Sequence, residues 1–267
     1  MTKEVPAPAR SESLAAPLLP MLVAQLKAEL IKLWRVPAFL VFSVAFPIVL
    51  YACIGLPRSD ARLGGVSASA YILASLATYG VVSVMLHSFG NSLANERAQR
   101  MHVLMRATPL PGWIHLTARS LTAVGFGLAV LLALCLFGAI IGNVDLPLAR
   151  WAVLIGSLLL GSLPFLTLGL GIGYLVSPGS APAAINLVLL PLSFASGLFV
   201  PVSQLPDLVQ RVAPFLPTYH LARVAWYTVG AETPDVSGSV LWLVAYGVVF
   251  MFLALRALER EETRQFG

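Results

Sequence analysis

The dominant pattern along this chain is a succession of long runs that contain no Asp, Glu, Lys or Arg. The runs are Val36–Pro57, Leu63–Asn95, Ser120–Val144, Trp151–Pro206 and Val236–Leu255. A helix of roughly 20 apolar residues crosses the hydrocarbon core of a bilayer, which is about 30 Å thick. A charged residue at the centre of such a helix costs roughly 2.5–3.5 kcal/mol on insertion scales. The pattern therefore predicts membrane-spanning helices.

The longest run, Trp151–Pro206, has room for two spans. Its break is the turn signal Ser177-Pro-Gly-Ser-Ala-Pro182, in which proline and glycine interrupt helical geometry. The chain is thus predicted to be an all-α integral membrane protein with six transmembrane helices. Their expected positions are 38–56, 68–91, 120–141, 151–176, 182–200 and 238–257.

The N-terminal region divides into two parts. Residues 1–17 are polar and rich in Pro and Ala, without the basic-then-apolar pattern of a cleavable signal, and are predicted to form a disordered cytoplasmic tail. In residues 18–35, leucines form a stripe along one face of the predicted helix, and Gln25, Glu29 and Lys32 form a stripe along another face. This pattern predicts an amphipathic helix in the plane of the membrane, with packing on a soluble partner as the alternative. The transmembrane domain is expected to cover residues 18–267.

The distribution of basic residues predicts the orientation. With six spans, twelve of the 17 Lys and Arg residues fall on the side of the termini and five on the other side. The positive-inside rule then places both termini in the cytoplasm of a multi-pass protein of the cell membrane. The net charge of +5 is consequently a topology signal, and no nucleic-acid partner is expected.

Polar residues inside the predicted spans are candidates for a functional site. In the second span, polar side chains recur at every fourth position from Tyr71 to Asn91 and wind slowly around the helix. In the fifth span, Asn186 and Ser193 are seven residues apart and are predicted to share a face. Such residues line a translocation path or hydrogen-bond between helices, including across a dimer interface. The candidates for these roles are Ser75, Tyr79, Ser83, Asn186 and Ser193.

The connection between the second and third spans carries a distinct pattern. Residues 95–106 have high helix propensity and are stopped by Thr108-Pro-Leu-Pro-Gly112. An apolar edge on this short helix favours docking into a groove of another protein, although the helix could also lie against the membrane. The candidate coupling residues are Glu96, Arg97, Arg100, Met101, Leu104, Met105 and Pro109.

The stretch from Ser196 to Arg223 is too proline-rich for one helix and too apolar for an ordinary soluble loop. Its apolar residues still recur at helical spacing between the prolines. Two interpretations remain open: short helices that dip into or lie along the membrane, and a structured loop that caps the bundle. The residues that mark the stretch are Gly197, Pro201, Leu205, Pro206, Pro217, His220 and Arg223.

These two stretches resemble the permease subunits of type-2 ABC (ATP-binding cassette) transporters. The match includes Glu96-Arg97, Thr108-Pro109-Leu110, Arg119 and the series from Gly197 to Arg223, whereas Arg100 and Met101 stand where Gly and Thr are usual in that family. The resemblance implies a six-helix half of an exporter with an N-terminal elbow helix. It implies a second permease half, identical or different, surrounding membrane lipid, and an ABC ATPase that contacts the 95–112 region and carries the ATP and Mg.

The sequence lacks the motifs of nucleotide-binding and catalytic sites, and this limits the functions that the chain can have. No GxxxxGK[ST] phosphate loop and no catalytic or metal-binding motif occurs, so we expect a transport subunit without an ATPase site, a cofactor or a metal of its own. The resemblance leaves the substrate class open among an amphipathic drug, lipid, glycan or peptide.

Three competing functions belong to other classes of protein. A secondary carrier is disfavoured because no carboxylate falls within a predicted span. A membrane enzyme that acts on lipid would need a polar cluster at one membrane interface, and the sequence indicates none. A non-transporting sensor or anchor subunit would have the same spans, so the sequence does not separate it from a permease.

Overall fold

A computed structural model describes residues 18–35, 37–59, 61–99, 111–233 and 236–266 of the chain. In these ranges the structure is helical apart from one two-stranded antiparallel hairpin, β1 (Arg62–Leu63) with β2 (Val66–Ser67). The α-helices are α1 (Leu18–Trp34), α2 (Pro37–Ile54), α3 (Ala68–Ala98), α4 (Gly112–Ile140), α5 (Leu148–Gly161), α6 (Leu163–Leu175), α7 (Ala181–Ala195), α8 (Asp207–Val212), α9 (Pro217–Thr228) and α10 (Val236–Phe266).

Five helical segments in the described ranges are long and apolar enough to cross a membrane. They are Phe39–Arg58, Ala68–Ala98, Gly112–Ile140, Leu148–Leu175 and Val236–Glu259. The fourth consists of α5 and α6, which meet at Ser162 just before Pro164. The chain is therefore a multi-pass helical membrane protein, as the charge-free runs indicate.

The predicted span 182–200 is shorter in the structure. Helix α7 ends at Ala195 after 15 residues, a length of about 22 Å at 1.5 Å per residue. The chain then turns at Gly197, which has a φ of +82°, a conformation that favours glycine. A Cβ atom at this position would also lie 2.5 Å from Cγ2 of Val202. The helix therefore stops where this turn is required.

The bundle has two ends with different contents. We call the end that holds α1, the last turn of α3 and the first turn of α4 the α1 end. The other end, which we call the loop end, holds the β-hairpin, residues 141–147 and residues 196–233. At the loop end, the Glu232 amide donates to the Gly64 carbonyl at 2.8 Å, and the Tyr51 and Ser69 hydroxyls are hydrogen-bonded.

Helix α3 is the centre of the bundle. Of its most apolar 18-residue window, 83% is buried, against 17–39% for the other spans. Its closest neighbour is α6, because both helices present glycine at the crossing. A Cβ atom on Gly169 would lie 2.6 Å from the Leu86 carbonyl oxygen, and one on Gly173 would lie 2.9 Å from that of Gly90. The small-xxx-small spacing of Gly169 and Gly173 thus serves close backbone packing.

Candidate functional site

Five charged or titratable side chains from three helices form a cluster at the α1 end that is largely buried, with Lys32 at its exposed edge. Helix α1 supplies Glu29 and Lys32, α3 supplies Glu96, and α4 supplies His115 and Arg119. Lys32 Nζ donates to Glu29 Oε1 at 2.8 Å and to Glu96 Oε1 at 3.2 Å, and Arg119 Nη2 donates to Glu96 Oε1. Arg119 Nε lies 3.9 Å from Glu29 Oε2. We call these five residues the ion cluster.

The ion cluster is electrically balanced. Two carboxylates face one ammonium and one guanidinium, and Arg119 is only 2% exposed. Because the amide nitrogen of Gln25 donates to His115 Nδ1 at 2.6 Å, the proton of a neutral His115 is on Nε2, which lies 3.5 Å from Glu96 Oε2. Every carboxylate of the cluster therefore has a cationic partner, as burial of charge requires.

Three members of the ion cluster also have the spacing of a metal site. Ligand atoms of Glu29, Glu96 and His115 lie within 4.8 Å of one another, close enough for one ion. Lys32 and Arg119, however, already neutralise both carboxylates, so a divalent cation would meet two positive charges at short range. The donor set therefore does not fit a metal.

Sequence reasoning predicted no functional role for Glu29, Lys32 or His115, and it named Arg119 only as part of the family resemblance. It did identify the polar stripe of Gln25, Glu29 and Lys32 on α1, without the partners of that stripe, and the in-plane position of α1 at the membrane stays a prediction. In the structure, Glu29 is buried against α4, whereas Leu30 and Trp34 are exposed. One signal was available: in a chain with only 11% charged residues, a polar stripe needs partners, and Glu96 and Arg119 border the predicted spans.

Arg97, next to the ion cluster, joins α3 to another helix. Its Nη1 donates to the carbonyl oxygens of Gly173 and Tyr174 at 2.9 Å and of Val176 at 3.2 Å, all at the C-terminal end of α6. The last carbonyls of an α-helix generally lack an intrahelical donor, and a cation stabilises that end. The predicted short helix 95–106 begins as the last turn of α3. Arg100, Met101, Leu104, Met105 and Pro109 lie outside the described residues.

A groove of about 430 Å³ lies between α2, α3 and α7. Three of the predicted path residues meet in it: Tyr79 and Ser83 from α3, and Asn186 from α7. His87 also faces the groove, and its Nδ1 donates to the Ser83 carbonyl at 2.8 Å. The apolar wall consists of Phe39, Phe42, Phe46, Pro47 and Leu190. The groove thus combines a polar floor with an aromatic wall.

The remaining two path candidates lie elsewhere. Ser75 is buried, accepts a hydrogen bond from Trp226 Nε1 at 2.8 Å and donates to the Tyr71 carbonyl at 3.1 Å, so it holds α9 against α3. Ser193 is fully buried and Asn186 is exposed, so the two residues do not share an environment. The polar stripe of α3 therefore splits: its first part packs at the loop end and its second part lines the groove.

A second cavity, of about 690 Å³, lies at the loop end between the β-hairpin, α3, α9 and α10. We call it the loop-end cavity. Of the seven motif residues, Pro201, His220 and Arg223 line it. The other four shape the backbone around it: Gly197 makes the turn after α7, the Leu205 carbonyl accepts from Gln210 Nε2 at 2.8 Å, Pro206 precedes α8, and Pro217 begins α9.

Aromatic rings form much of the wall of the loop-end cavity. Tyr71 and Trp226 stack with centroids 4.8 Å apart, and His220 stacks on Trp242 at 5.3 Å. His220 Nδ1 lies 3.4 Å from the Ser239 hydroxyl, while its Nε2 has no hydrogen-bond partner among the described residues. Burial lowers the pKa of His220, a hydrogen bond with the Pro214 backbone opposes this shift, and the nearby charge of Arg223 adds to it, so the pKa is lowered. The imidazole is therefore neutral at pH 7.

The fold and these sites define a class: a multi-pass helical membrane protein with an intramembrane groove and a cluster of charges at one end. The chain matches the family described as ABC-2 family transporter protein over residues 58–256. It therefore belongs to the ABC-2 transporter family and is a membrane transport subunit. It is also 28% identical, over 88% of its length and 96% of the relative's, to a protein of Bacillus subtilis (strain 168) named "Putative transport permease YvfS". Family membership implies an ABC ATPase as partner.

Proposed function

We propose that this chain is the permease subunit of an ATP-driven ABC exporter, in which the groove between α2, α3 and α7 forms part of the path of an amphipathic substrate. In this proposal the chain has no catalytic site, and a separate ATPase binds the ATP and Mg. Both termini and the α1 end face the cytoplasm, because twelve of the 17 basic residues are predicted on that side. The protein is a multi-pass component of the cell membrane.

The observation that carries this proposal is the composition of the groove. Ser83, His87 and Asn186 place polar groups in a groove between apolar helices, and polar groups within membrane-spanning segments are rare and usually functional. The three phenylalanines of α2 on the other wall suit the apolar part of a substrate. The groove is open on one side, and we propose that a second permease half, identical or different, closes it.

Cysteine accessibility tests the path. In a variant with Cys53 and Cys135 replaced by alanine, Ser83→Cys and Asn186→Cys are expected to react with the charged thiol reagent MTSET in lipid nanodiscs, because a translocation path contains water. Leu187→Cys is the matched control, since Leu187 adjoins Asn186 and is 76% exposed but does not line the groove. Equal, slow labelling of all three cysteines would mean that the groove faces lipid only.

The connection that follows Arg97 is the proposed contact with the ATPase. Movement at this connection would act first on the last turn of α3, where Glu96 is bonded to α1 and α4 and Arg97 to α6. Four helices, α1, α3, α4 and α6, are therefore joined next to the expected contact with the ATPase. The membrane portion can respond as a rigid unit because these contacts are buried and charged.

Association with the ATPase gives a second test. Met101→Asp is expected to reduce co-purification of the ATPase by at least tenfold, because a charge replaces part of the apolar docking edge. Glu96→Gln is expected to retain association and to lower substrate-stimulated ATP hydrolysis, since it weakens the joint and leaves the docking edge intact. Membrane insertion should be normal in both variants. Unchanged co-purification of the Met101→Asp variant would place the ATPase contact elsewhere.

The short helix α7 completes the proposed topology. It starts after residues 178–180, near the α1 end, and Ser196, one residue past its end, is hydrogen-bonded to Thr218 at the loop end. We propose that this passage from one end of the bundle to the other is an additional crossing, the fifth of six in chain order, made by the 15-residue helix and the turn that follows it. This arrangement leaves α8 and α9 between the fifth and sixth crossings, as short helices at the loop end.

A further inference from the structure

The loop-end cavity contains a cation that no described residue neutralises. The Arg223 guanidinium carbon lies 5.9 Å from the centroid of the Tyr219 ring, and no carboxylate of the described residues lies within 4 Å of the guanidinium nitrogens. Its side chain is half-buried on α9. Because no described carboxylate pairs with Arg223, its half-buried guanidinium is a binding group for an anion, and a charge-assisted hydrogen bond to that anion is stronger there than in water.

A second polar group of the cavity also lacks a partner. His220 is 3% exposed, and its Nε2 makes no hydrogen bond within the described residues. Nδ1 is the nitrogen near the Ser239 hydroxyl, and Nε2 is covered by the surrounding protein, so a ligand reaches it only after a local shift of the ring. Buried polar groups are normally satisfied, and an exception of this kind inside a cavity points to a ligand or water that satisfies it.

The rest of the cavity accommodates an apolar body. Trp226 and Trp242 lie on its walls together with Tyr71 and Tyr219. The one carboxylate that lines the cavity in the described residues, that of Glu232, is turned toward the hairpin: a Cβ atom on Gly65 would lie 3.0 Å from its Oε1. The volume of about 690 Å³ lies within the usual range of small-ligand sites.

We propose that the loop-end cavity binds an amphipathic anion, with its phosphate or carboxylate head on Arg223, close to His220, and its apolar part against the aromatic wall. The ligand is either a free amphiphile or the head and first methylenes of an anionic lipid, which share this chemistry. The site is distinct from the groove between α2, α3 and α7. It goes beyond the proposed function, because binding at this site requires neither the ATPase nor transport.

Tryptophan quenching by 12-bromododecyl phosphate tests the proposal. Bromine quenches an indole that it contacts, so the purified protein in phosphatidylcholine nanodiscs should show saturable quenching. Arg223→Gln is expected to weaken the apparent affinity by at least tenfold, and His220→Phe, which retains an aromatic ring beside Trp242, by a smaller factor. Arg211→Gln is the matched control, since Arg211 is exposed on α8 and does not line the cavity.

Competition experiments identify the source of the ligand. Competition by phosphatidylglycerol in the nanodiscs would assign the site to lipid, and no competition would assign it to free amphiphiles. Inorganic phosphate is expected to compete only weakly, because it lacks the apolar part. Two results would overturn the proposal. One is that wild type and Arg223→Gln bind 12-bromododecyl phosphate with equal affinity. The other is that a brominated dodecyltrimethylammonium binds as tightly as the phosphate and does so independently of Arg223.

Discussion

Replacing Arg119 with methionine is expected to lower the free energy of unfolding by about 3–5 kcal/mol. Methionine has a similar length, so the main change is the loss of a buried cation that contacts the carboxylates of Glu96 and Glu29. Lys32 alone then faces two negative charges. Reversible denaturation in mixed micelles, followed by tryptophan fluorescence, measures the effect.

Two further variants separate charge from packing at this position. Arg211→Met is the surface control and is expected to change the free energy of unfolding by less than about 0.5 kcal/mol, because Arg211 is exposed. In the double variant Glu96→Gln with Arg119→Met, one carboxylate is removed together with the cation, so part of the stability should return. Strictly additive losses in this double-mutant cycle would show that the two side chains do not interact.

The second large effect is expected at the crossing of α3 and α6. Gly169→Ala should lower the free energy of unfolding by about 1–3 kcal/mol, because the new methyl group would lie 2.6 Å from the Leu86 carbonyl oxygen. That oxygen belongs to the backbone of α3, so the clash cannot be relieved by a side-chain rotation. The two helices must separate, which loosens contacts along their length.

Gly171→Ala is the matched control on the same helix. A Cβ atom at Gly171 would lie 3.8 Å from Ala254 Cα, which is an ordinary van der Waals distance. Because alanine is a better helix former than glycine, this variant should be as stable as the wild type or slightly more stable. Thermal unfolding of both variants in the same detergent gives the comparison, and an equal response would mean that the close approach at Gly169 is not required.

The spans themselves follow from local sequence. Each of the five long helices coincides with a charge-free run, because the exclusion of charge from hydrocarbon acts on every residue of the run independently of its neighbours in space. The ends are less well defined: α3 continues to Ala98 and α4 begins at Gly112, outside the runs. Glu96 can lie on the last turn of α3 because Lys32 and Arg119 neutralise it.

The order of residues was enough to predict a helical membrane protein and the two stretches that mark the transporter family. The packing of the helices was needed to show that α7 is short, that the polar stripe of α1 faces inward, and that the stripe of α3 serves two sites. The reason is that these features depend on distant partners. Gln25 contacts His115, 90 positions away, and Trp226 contacts Ser75, 151 positions away. Helical periodicity indicates which residues share a face, but a partner on another helix decides what that face contacts.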